Sequence, residues 1–151
     1  KFDWKDIPLA SQQNTQKVLL DEFEAFCLSM GNPHAVIFMQ NLHELESLNL
    51  DVVGPRLEKN INFPEFTNIE FACVLEDKTI RMRVWERGVG VTMACGSGAC
   101  ATLVAAFKIN KSSKSNKIIL DGGSLFVEWL NNGNVTLSGD TEKVYEGLIG
   151  G

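Results

Sequence analysis

One stretch of the chain concentrates residues that can do chemistry. From Glu86 to Thr102 it reads Glu-Arg-Gly-Val-Gly-Val-Thr-Met-Ala-Cys-Gly-Ser-Gly-Ala-Cys-Ala-Thr. A charged pair, Glu86-Arg87, stands just before a glycine turn. A thiol, Cys95, follows at the mouth of an apolar segment that reads as a helix. A thiol at a helix N-terminus feels the positive end of the helix dipole, which favours thiolate and predicts a lowered pKa. The backbone N–H groups of Gly96 and Ser97, which have no intrahelical partner, are predicted to hold an anion at the same place. A thiolate beside a carboxylate-sized anion site implies acid–base or nucleophilic chemistry on a small acid. The competing reading of Cys95 is a buried helix-start cysteine acting as a small hydrophobe. The glycines on its C-terminal side, which leave the sulfur uncovered, favour the chemical reading.

The elements that must position these residues follow from hydrophobic periodicity. Lys17 to Met30 alternates as one or two strands, Gly31-Asn32-Pro33-His34 signals a turn, and residues 35–39 read as a buried strand. Leu42 to Asn49 is predicted helical, and so is Val52 to Asn60 with Pro55 at its start. Residues 69–75 and 79–85 form a hairpin. The helix from Gly96 to about Asn110 is apolar nearly all round, as expected of a helix buried on every side. Strands are predicted over residues 117–120, 124–130 and 134–138, with a final strand over 141–148. Residues 1–10 read as a linker or edge segment. A helix with no polar face cannot lie on one side of an open sheet, since its outer stripe would face water. The predicted fold class is therefore α+β, a mixed and largely antiparallel sheet wrapped around a central buried helix.

The whole chain sets limits. Its 151 residues suffice for one domain with a core, and 44% hydrophobic residues and 22% charged residues are ordinary for a globular protein. A net charge of −5 without a basic stripe argues against nucleic acid as a partner. No apolar run approaches the ~20 residues of a membrane span. The four cysteines lack the paired spacing of a zinc site, so no metal is expected, and they fit a reducing, cytoplasmic compartment.

The motifs also resemble a known family. Glu86-Arg87-Gly88-x-Gly90 followed by Thr92-x-Ala94-Cys95-Gly96-Ser97-Gly98-Ala99 is similar to the C-terminal signature of the diaminopimelate epimerases. Gly31-Asn32-Pro33-His34, Phe63-Pro64 with Asn68-Ile69-Glu70-Phe71, and the closing segments Gly122-Gly123, Val135-x-Leu137-x-Gly139 and Val144-x-x-Gly147 extend the likeness over most of the chain. Val91 and Asp140 depart from the family pattern, away from the residues expected to carry chemistry.

The resemblance implies an isomerase of lysine biosynthesis that inverts one α-carbon of LL-diaminopimelate to give the meso form, with no cofactor. It implies a two-base mechanism in which one thiolate removes the α-proton and a thiol on the opposite face returns one. The family has two pseudo-symmetric halves, each with one catalytic cysteine. The chain, 1–151, corresponds to the C-terminal domain, with residues 1–10 as a linker from the N-terminal half.

By the resemblance, Cys95 is one base. Gly96 and Ser97 hold the α-carboxylate, Glu86 contacts the amino group and influences the thiol, and Arg87 pairs with the distal carboxylate. Asn32 and Asn68 read the distal end, and His34 tunes the cysteine pair. No second Cys-Gly-Asn turn occurs, so the chain alone is expected to be inactive. Its expected partners are the missing half, the amino-acid substrate and, in a homodimer, a second copy. Cys100, five residues after Cys95, is expected to point into the core and has no catalytic role. The alternatives are a racemase of the proline type on the same scaffold, and a non-catalytic binding domain.

Overall fold

The computed structural model describes residues 1–150, as nine strands and three helices. In chain order they are β1 (Val18–Leu20), β2 (Phe23–Ser29), β3 (Pro33–Phe38), α1 (Leu42–Ser47), α2 (Leu50–Glu58), β4 (Asn68–Val74), β5 (Ile80–Glu86), β6 (Gly90–Val91), α3 (Gly96–Lys108), β7 (Ser115–Leu120), β8 (Gly123–Trp129) and β9 (Val135–Ser138). The class is mixed α+β. One sheet runs β1-β2-β3-β4-β5-β7-β8-β9, and β6 pairs separately with β5.

Two neighbouring pairs in this sheet are parallel, β3 with β4 and β5 with β7, and the other pairs are antiparallel. A parallel pair needs a crossover. The first runs through α1 and α2, and the second through β6 and α3.

The two crossovers cover opposite faces of the sheet. On one face Phe26, Leu28, Val36, Ala72, Met82 and Ile118 share a core with α3. On the other Cys27, Ile37, Ile69 and Phe71 pack with Leu45 of α1 and Leu50 and Leu57 of α2. With both faces covered, the central strands read as continuous apolar runs rather than alternating ones. Each large aliphatic side chain so buried contributes ~1.5–3 kcal/mol. Between Gly98 and Ala106 of α3 every residue except Cys100 is buried. The helix touches β2 to β5 and β7 to β9.

The structure corrects three expectations about elements. No strand forms over 141–148: these residues carry no ladder, and Val144, Tyr145 and Leu148 stand exposed. Apolar spacing alone makes no strand; the backbone must also pair with a neighbour. Pro55 lies inside α2, not at its start, because the helix begins at Leu50 behind Asn49. Cys100 is only half-buried, and with Ser97, Met30 and Val135 it lines an open cavity of about 480 Å³. Residues 1–10 pack onto the unit, with Ile7 and Leu9 buried against the α1–α2 side and Phe2 edge-on to Phe26 at 6.3 Å. Among the described residues no helix is long and apolar enough to cross a membrane.

Candidate active site

The register of three strands brings the motif residues to one edge of the sheet. His34 at the start of β3 lies beside Asn68 at the start of β4, and Ile69 pairs with Trp85 near the end of the antiparallel β5. Asn32, His34, Asn68, Glu86 and Arg87 thus share the edge at which α3 begins.

Asn68 ties these pieces together. Its Nδ2 donates to the Pro33 carbonyl at 2.8 Å, and its Oδ1 accepts from the Arg87 backbone N–H at 2.9 Å. Its side-chain amide is therefore engaged at both ends, with one N–H and one lone pair to spare. The Arg87 side chain is exposed, and its guanidinium donates to the Glu65 carbonyl at 3.1 Å. Glu86 is half-buried and accepts from the Thr92 hydroxyl.

The turn that carries Glu86 and Arg87 is held from behind by α2. Glu58, at the end of α2, accepts from the Trp85 indole N–H at 2.7 Å and from the Gly88 N–H at 2.8 Å. Gly90 closes the turn at φ +104°, a conformation that favours glycine, under the Trp85 ring.

Cys95 is the N-cap residue of α3, with extended φ −135° and ψ 108°. Its Sγ accepts from the Gly98 N–H at 3.4 Å and lies 3.6 Å from the Ser97 hydroxyl. Gly96 is exposed and Ser97 half-buried. Their N–H groups precede the first intrahelical bond and point outward along the helix axis.

The predicted lowering of the Cys95 pKa is corrected by the structure. Burial pushes the thiol above its ordinary value; the bonds from Ser97 and Gly98 pull it down, and the Glu70 and Glu86 carboxylates push it up again. Desolvation of Cys95, a residue 6% exposed, outweighs the two hydrogen bonds to its sulfur.

The sequence reading assigned no role to Glu70 of β4. It is fully buried, and its Oε1 lies 2.6 Å from His34 Nδ1. His34 is fully buried as well, and its Nε2 faces Asn32 Oδ1 at 3.0 Å. Glu70 Oε2 is buried with no hydrogen-bond partner among the described residues. A Cβ placed on Gly98 would lie 2.8 Å from Glu70 Oε1 and 3.2 Å from Cys95 Sγ. The bare backbone of Gly98 is what lets the carboxylate and the thiol approach each other. One signal in the sequence marked Glu70, a lone charge inside the apolar run from Ile69 to Val74. Glu58 and Thr92 carried no such mark.

The family model described as diaminopimelate epimerase matches residues 26–144. The chain belongs to the diaminopimelate epimerase family. Among curated diaminopimelate epimerases, that of Rhodospirillum centenum is 45% identical over 152 residues, covering 99% of this chain and 51% of the relative. That of Phocaeicola vulgatus is 47% identical over 129 residues, covering 85% of this chain and 45% of the relative. That of Acidiphilium cryptum is 43% identical over 153 residues, covering 99% and 54%. The chain thus spans about half the length of the diaminopimelate epimerases it matches.

Among solved structures, the Bacillus anthracis phenazine biosynthesis protein of the PhzF family superposes with TM-score 0.50 at 23% identity, over 76% of this chain and 37% of that one. An Enterococcus faecalis protein of the same family gives 0.51 at 18% identity, over 71% and 38%. These structures share the fold.

Proposed function

We propose that this chain is the C-terminal half of a cofactor-independent diaminopimelate epimerase and supplies one of its two cysteine bases. The observation that carries the reading is the meeting of Cys95, at the start of α3, with Glu86, Arg87, Asn32, Asn68 and the buried His34 at one sheet edge, in a chain about half as long as its family relatives. The sheet curled around α3 makes one half of the enzyme, and residues 1–10 are the approach from the other half.

In the reaction, a thiolate on the missing half takes the α-proton of LL-diaminopimelate. The Cα–H bond breaks and an S–H bond forms. The electron pair moves onto the α-carboxylate, where the N–H groups of Gly96 and Ser97 stabilise it. Cys95 then gives its thiol proton to the opposite face of the same carbon, inverting it and leaving Cys95 as thiolate. The raised pKa of Cys95 suits this order, because the residue rests as the thiol that must donate. Arg87, which is exposed, pairs with the distal carboxylate as a planar fork. Glu86 receives the substrate ammonium.

The test is hydrogen–deuterium exchange at the α-carbon of LL-diaminopimelate in heavy water. The chain alone is expected to give none. Addition of the missing half is expected to give exchange that Cys95→Ala abolishes while the fold persists. Turnover by the chain alone, or a Cys95→Ala protein with full activity, refutes the proposal.

A further inference from the structure

The site holds a buried acidic group that the mechanism above leaves unused. Glu70 and His34 are both sealed from solvent and 2.6 Å apart. At the far side of the imidazole, Nε2 faces the Asn32 carbonyl oxygen, an acceptor, so Nε2 carries a hydrogen. Nδ1 and Glu70 Oε1 must then hold one proton between them. A bare carboxylate at this place, with a buried and unpartnered Oε2, would be a costly isolated anion. With the proton present the pair is neutral as a unit.

We propose that Glu70 is a positioning residue for epimerisation. By sharing one proton with His34, it fixes the orientation of that ring toward Asn32 and keeps the flank of Cys95 free of net charge. Cys95 can then become a thiolate after donating its proton without a second buried anion beside it. Gly98 makes this coupling close, since the carboxylate and the sulfur both lie within 3.2 Å of the point a Cβ there would occupy. The titratable groups near Glu70 are Cys27 from β2 and Cys95 from α3, and Glu86 at the end of β5 also lies near Cys95. The proposal rests on the epimerase reading.

The test uses the protein with both halves present, in two measurements. The first is 15N NMR of the His34 ring in the wild type. A proton shared across 2.6 Å is expected to give a far-downfield 1H resonance coupled to Nδ1, with Nε2 protonated. In Glu70→Gln the ring is expected to be neutral, with Nδ1 accepting from the new amide.

The second measurement is the split between kcat and KM in Glu70→Gln. Its kcat is expected to drop on the order of tenfold, less than the ~10²–10⁴ of a group that itself transfers the proton. KM is expected to change by less than about threefold, since no substrate contact is removed.

A Glu70→Gln protein with wild-type kcat, altered only in melting temperature, overturns the proposal. So does a wild-type His34 with no downfield proton on Nδ1 in an enzyme that exchanges the α-proton, and this measurement needs no variant to fold. If the wild type shows no α-proton exchange, the epimerase reading falls and takes the purpose of Glu70 with it, while the NMR result still reports whether the proton is shared.

Discussion

Gly98→Ala probes the tightest point of the site. Two effects oppose each other. Alanine in place of glycine within a helix favours folding by ~0.5–1 kcal/mol. The added Cβ would meet Glu70 Oε1 at 2.8 Å, Cys95 Sγ at 3.2 Å and Glu70 Cγ at 3.3 Å. The first of these cannot be met by a flexible side-chain tip, because the carboxylate is buried and held 2.6 Å from His34. Overpacking of this kind costs ~1–3 kcal/mol, or the carboxylate moves away and loses a charge-assisted hydrogen bond of ~1.5–3 kcal/mol. The net expectation is a loss of ~1–2 kcal/mol.

A second background makes the argument sharper. In Glu70→Ala, itself expected to cost ~1–3 kcal/mol through the unpaired His34, the carboxylate is gone. Gly98→Ala made in that background meets only the sulfur, and is expected to be neutral or to stabilise by up to ~1 kcal/mol. The sign of the effect should reverse, with a coupling of ~2 kcal/mol between the two positions. Urea unfolding midpoints at unchanged m-value read it directly. If Gly98→Ala is as stable as its parent, or costs the same in both backgrounds, Glu70 is not the neighbour that makes residue 98 a glycine.

Two further outcomes follow from the packing and the thiols. Gly54→Ala in α2 would set a Cβ 2.3 Å from Trp85 Cδ2, against an indole pinned by Glu58, so a loss of ~1–3 kcal/mol and a shifted tryptophan emission are expected; a wild-type midpoint and spectrum would show that Trp85 is free to move. Burial raises the pKa of the Cys27, Cys73, Cys95 and Cys100 thiols. The unfolded chain ionises its thiols near pH ~8.5 and the folded chain later, so their contribution to stability is complete below that pH and declines above it. The urea midpoint should fall between pH 8 and 10, and Cys27→Ala, which removes the most deeply buried thiol, should flatten that fall; a slope unchanged by Cys27→Ala would contradict the assignment.

The sequence alone determined the local elements and the family. Alternation marked β2, an apolar run marked β3 from residue 35, hairpin spacing marked β4 and β5, and the apolar run after Cys95 marked α3, because each of these depends on neighbours only a few residues away; β3 itself begins two residues earlier, at Pro33, inside the predicted turn. The Glu86 to Ala99 motif marked the site for the same reason. Only the tertiary structure decided what depends on distant partners. The segment 141–148 has strand spacing but pairs with no other strand among the described residues, so it forms none. The Cys95 thiol stands at the start of α3, where the sequence predicts a lowered pKa, yet burial in the fold raises it. Glu70 stands 36 residues from His34 in the chain, and only the parallel pairing of β3 with β4 brings the two within 2.6 Å. Desolvation and through-space charge depend on what packs around a group, and a linear pattern of residue types does not contain that information.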